Sequence, residues 1–346
     1  MTPDTAPIRP EERFDEERVA AYLAEHLPDL LGGGPIAFEQ FPGGKANLTY
    51  LARCGDTEVV LRRPPLGPVA PGSHDMEREH TVLAVLHEAF PKAPRSYHLC
   101  TDPAVMGKPF FVMERRNGTV VRERWPSSLP DTTPFRRTVA EGLVDTLGEL
   151  HAVDFVTLGL GGLGRPSGFV PRQVEGWSDR WEKAKEDDVP DMTRLAGRLA
   201  DSVPVPQAAT LLHNDFKLDN TMIAADGSIE AVFDWDMATT GDPLVDLGTT
   251  LVYWASPDDA IFPLFAAETV MLHDVMGRDE IVARYAAASS LDLEEVGWYQ
   301  ALACFRIAVI LQQIYIRYRR GQTSDERFAS LGSLVLPIAA DGLRLL

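Results

Sequence analysis

The chain has 346 residues, of which 45% are hydrophobic and 24% charged, and its 51 acidic against 33 basic side chains give a formal net charge of −18. At roughly 150 residues per domain that length suits about two domains, and the composition excludes a disordered or fibrous chain. A surface this negative is repelled by nucleic-acid phosphates and by anionic membranes, so neither is an expected partner.

Residues 1–13 mix Pro, Asp, Glu and Arg without an apolar run, so no export signal is expected there. Val19, Tyr22, Leu23 and His26 fall at helical spacing over 15–26, and Gly32, Gly33, Gly34 and Pro35 end that element. Short β-prone runs follow at 36–41, 48–53 and 58–62, separated by Pro42-Gly43-Gly44 and by Gly55-Asp56, which predicts an antiparallel meander. An amphipathic helix is expected over 75–88 with Ser73 as its cap, and two more strands over 97–100 and 109–113.

Past Gly118 the periodicity is mostly helical, at 135–151, 172–185, 192–201 and 294–318, the last ending at Gly321. Between them, 221–224 and 229–233 flank Asp226-Gly227 like a small hairpin. Trp177 and Trp181, one helical turn apart, read as core. The late apolar stretch 301–316 is interrupted by Arg306, Gln312 and Gln313, so no membrane span is expected. Cys54, Cys100 and Cys304 are too far apart for a CxxC motif and leave an odd thiol if two pair, which suits a reducing cytoplasm. The β-rich part is expected over 1–115, and the helical part, with the chemistry, over 116–346.

The strongest chemical signal is His213-Asn214-Asp215-Phe216-Lys217-Leu218-Asp219-Asn220, followed after the hairpin by Asp234-Trp235-Asp236. Phosphoryl transfer needs a carboxylate to orient the attacking hydroxyl and take its proton, a carboxamide on Mg²⁺, and a second carboxylate bridging metal and phosphates. Asp215, Asn220 and Asp234 supply these groups in that order. A lone Asp in a turn is ordinarily there for turn geometry, and it is the five residues in register that carry the reading. Asp242-Pro243 fits a helix start, which also accounts for Asp246. Asp236 is read either as a second metal-related group or as a loop brace.

In these motifs the sequence resembles the aminoglycoside phosphotransferase and choline kinase superfamily, whose catalytic loop reads HxDxxxxN. Further stretches, Gly43-Gly44-Lys45-Ala46-Asn47-Leu48-Thr49-Tyr50, Val60-Leu61-Arg62-Arg63-Pro64-Pro65, His74-Asp75-Met76-Glu77-Arg78-Glu79 and the run from Asp234 to Pro243, resemble the kinase-like domain of certain acyl-CoA dehydrogenases. The likeness spans about 36–321 of the 346 residues. It implies an α+β, protein-kinase-like two-lobe fold, with a five-stranded antiparallel amino-terminal lobe, a helical carboxy-terminal lobe, and ATP with Mg²⁺ bound between them. It also implies a loop over phosphates at Gly43, Gly44, Asn47 and Thr49, and an adenine-binding hinge at Glu114 and Arg115. His213 is given a bracing role.

Arg62 departs from the superfamily, which has Lys there, paired with a helix acid that Glu79 matches. Guanidinium keeps the charge but not the geometry. Arg63, on the opposite side of the strand, reads as a surface residue of an edge strand.

Three functions compete: a small-molecule kinase, a protein kinase and a silent nucleotide-binding scaffold. Asn214 stands where protein kinases carry Arg, and Asp242-Pro243 begins a helix too soon after Asp234 for an activation segment. A scaffold is expected to lose Asp215, Asn220 or Asp234, and all three are present. The expectation is an ATP-dependent kinase of a small hydroxylated molecule. The resemblance favours a hydroxy acid or hydroxyacyl thioester, with an aminoglycoside or other antibiotic as the alternative.

Overall fold

A computed structural model of the chain describes residues 4–42, 47–67, 74–122, 124–264, 272–323 and 325–346. It divides into a smaller unit, Met1–Asn117 with Glu230–Ala238, and a larger one, Gly118–Ile229 with Thr239–Leu346.

The smaller unit is built on a five-stranded antiparallel sheet of β1 (Ala37–Gln40), β2 (Leu48–Cys54), β3 (Thr57–Arg63), β4 (Ser96–Cys100) and β5 (Phe110–Glu114), in the order β1-β2-β3-β5-β4. Gly55, at φ 57°, turns the two-residue loop between β2 and β3, where a side chain would be strained. One sheet face, with Tyr50, Ala52, Val59, Leu61, Phe110 and Val112, shares a core with Val19, Leu23 and Leu31 from the helices Glu16–His26 and Pro28–Leu31. Helix Met76–Leu86 packs against β4 and β5, burying Met76, Glu79, Val82, Leu83 and Leu86. Its N-cap is Asp75, whose carboxylate accepts the Arg78 N–H at 3.0 Å. The expected cap, Ser73, lies outside the described residues.

The sheet order corrects the reading of Arg63. Because β5 lies beside it, β3 is the central strand, and Arg63 is 1% exposed. Its guanidinium donates to the Tyr50 hydroxyl at 2.6 Å and to the carbonyls of Glu12 at 2.6 Å and Met106 at 2.8 Å. It also stands 5.5 Å from the Phe14 ring centroid and 5.1 Å from that of Tyr50. Alternation along the strand places Arg62 on the other face.

The larger unit is helical around Val296–Arg319, which packs on Leu244–Tyr253, Gly332–Arg344 and Phe169–Ala184. Gly248 permits that approach, since a Cβ there would stand 2.5 Å from the Tyr299 backbone. Helix Val296–Arg319 is long and apolar enough to cross a membrane by length and composition, and 72% of its apolar window is buried inside the protein. The expected helices appear as Thr133–His151, Phe169–Ala184 and Pro190–Asp201. Helices Arg278–Ala288 and Gly332–Arg344 lie in the part read as helical but were not delimited there, and the second carries Pro337 inside it. A short antiparallel ladder pairs Thr210–Leu212 with Thr239–Gly241, and it delivers the chain to the motif at His213.

Candidate active site

In the larger unit, the loop that carries the motif from His213 to Asn220 leaves strand Thr210–Leu212, passes Asn214 at φ 66°, and ends in a single turn, Leu218–Asn220. A non-glycine residue in this left-handed region must be held there by its surroundings. The clamp is Asp246, fully buried on helix Leu244–Tyr253. Its two carboxylate oxygens accept the backbone N–H groups of His213 at 2.6 Å and Asn214 at 2.7 Å. His151 Nε2 lies 3.4 Å from the same carboxylate, and the His151 Nδ1 is 2.7 Å from the Tyr285 hydroxyl. Burial works against the Asp246 charge, and His151, His213 and the backbone donors still hold its carboxyl below the usual range. Asp246 was read as helix-start charge alone, and its grip on the loop is a correction to that reading. Asp242 does serve the helix start, accepting from the Leu244 N–H at 3.0 Å, while its other oxygen takes the Tyr299 hydroxyl at 2.7 Å.

Asp215 is positioned from three sides. The Tyr253 hydroxyl donates to Oδ1 at 2.7 Å, and Asn220 Nδ2 donates at 2.9 Å to both Oδ2 and the Asp215 carbonyl. Lys217 Nζ lies 3.4 Å from Oδ2, 3.6 Å from Asp219 Oδ1, and 5.2 Å from the Tyr253 ring centroid. His213 Nδ1 accepts the Asp215 N–H at 3.3 Å. Burial raises the Tyr253 phenol well above its usual value, so it remains a donor to Asp215. Burial, with Asp215 nearby, also raises Asp219 against the pull of Lys217. The Asn220 amide nitrogen is committed to Asp215, so its carbonyl oxygen is the atom left to face a ligand.

In the smaller unit, Arg62 Nε donates to Glu79 Oε2 at 2.9 Å, and its Nη2 pairs with Asp234 Oδ1. The Trp235 N–H reaches Glu79 Oε1 at 3.3 Å, and Asp234 itself sits at φ 71°. Asp236 lies 3.8 Å from His74. The Arg62 side chain is 11% exposed and that of Glu79 1%. Burial pushes the Glu79 carboxyl up to about 7 against the pull of Arg62, with Asp234 and Asp236 adding to the rise. Burial also works against the Arg62 charge, but these carboxylates more than offset it and raise its pKa.

Thr49 lies opposite Arg62 on β2. Asn47 is 3% exposed, and among the described residues neither its amide nitrogen nor its amide oxygen has a hydrogen-bond partner. Gly43 and Gly44 lie outside the described residues. Glu114 and Arg115 stand apart from the Arg62 cluster. Glu114 accepts from the Arg95 N–H at 3.1 Å and its own N–H donates to the Arg95 carbonyl at 2.8 Å, while Arg115 pairs with Asp4 and covers the Phe41 ring at 5.0 Å. Tyr253 and Asp246 were missed because their signal is only an i, i+7 relation on one helix, which says nothing until that helix is placed behind the loop.

The phosphotransferase enzyme family model, APH, matches residues 37–299. Acyl-CoA dehydrogenase family member 11 of Gallus gallus is 31% identical over 353 aligned residues, covering 100% of this chain and 45% of the relative. The chain thus spans less than half the length of that curated relative. A crystal structure of a putative aminoglycoside phosphotransferase from Ralstonia eutropha superposes with a TM-score of 0.80 at 27% identity, over 96% of this chain and 98% of that one. A thermostable aminoglycoside phosphotransferase mutant, solved as a ternary complex with AMP-PNP and hygromycin B, shares the fold at a TM-score of 0.61 and 16% identity, over 94% and 98% of the two chains. With its five-stranded sheet, its helical unit and a family match across most of its length, the chain belongs to the phosphotransferase enzyme family and has the protein-kinase-like α+β fold.

Proposed function

We propose that the chain transfers the terminal phosphoryl group of ATP to the hydroxyl of a small molecule, with Asp215 as the base. The observation that carries this reading is the Asp215 carboxylate, fixed by Tyr253 on one oxygen and Asn220 on the other, with Lys217 beside it. Such a carboxylate accepts the proton of the attacking hydroxyl and aligns its oxygen on the phosphorus. The Tyr253 and Asn220 donors hold it in one rotamer, so that orientation is established before the substrate arrives.

Nucleotide use is supported by the AMP-PNP complex of the related phosphotransferase, by Arg62 held on Glu79, and by buried Asn47, whose amide has no hydrogen-bond partner among the described residues. Mg²⁺ would neutralise charge on the phosphates when bound. Asn220 through its amide oxygen and Asp234 through its carboxylate are the residues that would hold it, and both are hard oxygen ligands that suit this ion. Arg62 would contact the phosphates. Likeness to the dehydrogenase relatives favours a hydroxy acid or a hydroxyacyl thioester as acceptor.

The test is ADP formation from Mg·ATP across hydroxy acids, hydroxyacyl thioesters, aminoglycosides and amino alcohols, for wild type and Asp215→Asn. The variant is expected to keep Mg·ATP affinity and lose turnover by about 10² or more, because a base acts in the transition state and does not hold the nucleotide. Wild-type turnover in Asp215→Asn would refute the assignment.

A further inference from the structure

Arg306 sits in the middle of helix Val296–Arg319 and is 5% exposed. Its one hydrogen bond among the described residues is a long one, Nη1 to Thr249 Oγ1 at 3.5 Å, and its guanidinium carbon stands 5.6 Å from the Trp177 ring centroid. Among the described residues no carboxylate comes within 4.0 Å of it. Arg180 lies on the same indole at 4.3 Å, so two cations share Trp177. Burial lowers the Arg306 pKa, Arg180 adds to that, and the opposing influence of Tyr253, Asp246 and Asp215 does not restore it. Both carboxylates are already committed: Asp246 to the backbone of His213 and Asn214, and Asp215 to Tyr253 and Asn220.

A buried charge without a paired counter-charge is costly, and proteins ordinarily compensate it or remove it. The position of this one is informative. Thr249 and Tyr253 are one turn apart on helix Leu244–Tyr253, with Thr249 touching Arg306 and Tyr253 touching the proposed base. From Thr249 to Tyr253 the helix therefore links the Arg306 guanidinium to the Asp215 carboxylate.

We infer that Arg306, with Trp177 beneath it and Arg180 at the rim, is the anion-recognising residue of the acceptor subsite, and that the alcohol phosphorylated at Asp215 carries a carboxylate. This rests on the phosphotransfer reading above. A planar guanidinium binds a carboxylate in two-pronged fashion, and Trp177 offers an apolar face to the carbon chain between carboxylate and hydroxyl. The anion completes the ion pair that the protein alone leaves open. A cationic aminoglycoside would instead meet Arg306, Arg180 and Lys217.

Calorimetric titration in the presence of Mg²⁺ and AMP-PNP separates binding from turnover. The probes are lactate, mandelate and a hydroxyhexanoate, each beside its primary amide, with kanamycin as the cationic comparison. Wild type is expected to bind at least one acid about ten-fold or more tighter than its amide, the range of a charge-assisted contact. In Arg306→Met that ratio falls to about one, and in Arg306→Lys it is intermediate, because an ammonium keeps the charge and loses the fork. AMP-PNP affinity in each variant reports whether the protein is folded, and if Arg306→Met does not fold, the wild-type ratio and Arg306→Lys decide. Equal binding of acid and amide, tighter binding of kanamycin, no saturable acid binding, or an unchanged ratio in the variants overturns the inference. ADP formation on neutral or cationic acceptors without acid preference leaves the phosphotransfer reading standing and removes this one. Acids that bind through Arg306 but yield no ADP from ATP leave the anion contact standing and remove the phosphotransfer reading, and with it the phosphorylated hydroxy acid.

Discussion

The neighbouring arginines of β3 should fail in opposite ways when replaced by Met. Arg63→Met removes the guanidinium that donates to Tyr50, Glu12 and Met106, and an apolar chain of similar length cannot replace those bonds. Tyr50 still donates to the Glu12 carbonyl at 2.9 Å, so the Met106 carbonyl is the acceptor that loses its donor and Glu12 loses one of two. At about 1–3 kcal/mol for the unsatisfied buried group, with the lost ring contacts to Phe14 and Tyr50 adding about 1 kcal/mol, the expected cost is roughly 3 kcal/mol. For a unit of this size that lowers the melting temperature by about 10 °C. Arg62→Met leaves Glu79 buried without its partner, but Glu79 already titrates at about 7, so it can take up a proton and fold as the neutral acid. Its cost should be nearer 1–2 kcal/mol, or about 5 °C, while ATP affinity and phosphate transfer fall by about ten-fold or more. Far-UV circular dichroism melts together with nucleotide titrations separate the two. A melt of Arg63→Met at the wild-type temperature, or wild-type nucleotide affinity in Arg62→Met, would refute the division of labour between the two faces of β3.

Asp234→Ala removes a proposed metal ligand and frees Arg62 from its carboxylate, so Mg·ATP affinity is expected to drop by about ten-fold or more, and unchanged affinity at saturating Mg²⁺ would move the metal elsewhere. Asp246→Asn turns one of two acceptors toward the His213 and Asn214 N–H groups into a donor, which should loosen the loop by about 1–3 kcal/mol and lower turnover by about 10² with nucleotide affinity retained. Wild-type turnover in that variant would show that the clamp is dispensable.

The motif residues were legible because they are local: one loop carries Asp215, Lys217 and Asn220, and their mutual bonds span at most five positions. Arg62 and Glu79 were legible through the family resemblance, which pairs a strand cation with a helix acid, and the two side chains do meet at 2.9 Å. Arg63 was misread for a topological reason, since adjacent runs in sequence do not reveal that β5 inserts beside β3 and leaves β4 at the edge. Arg306 entered the sequence reading only as an interruption of an apolar run, and Trp177 only as core. Both are buried, as core residues are, but the indole also carries Arg180 and Arg306. That arrangement depends on helices Phe169–Ala184 and Val296–Arg319 packing together across more than a hundred residues.

Backbone strain marks the chemistry in each unit independently of any motif. Asn214 and Asp234 are two of the three non-glycine residues at positive φ among the described residues, and each belongs to a run singled out for phosphoryl transfer. Asn and Asp tolerate the left-handed region better than bulkier residues, yet a position of this kind still costs of order 1–3 kcal/mol and persists only where neighbours enforce it. The neighbours are identifiable: Asp246 grips the N–H of Asn214, and Arg62 holds the carboxylate of Asp234 while Glu79 accepts the N–H of Trp235. Bending the chain at Asn214 sets the backbone from which Asp215 projects, and bending it at Asp234 starts the turn Trp235–Met237. Asp246 and Glu79 therefore hold these bends through the backbone, and their near-complete burial follows from that task, because a clamp exposed to water would exchange its N–H partners for solvent.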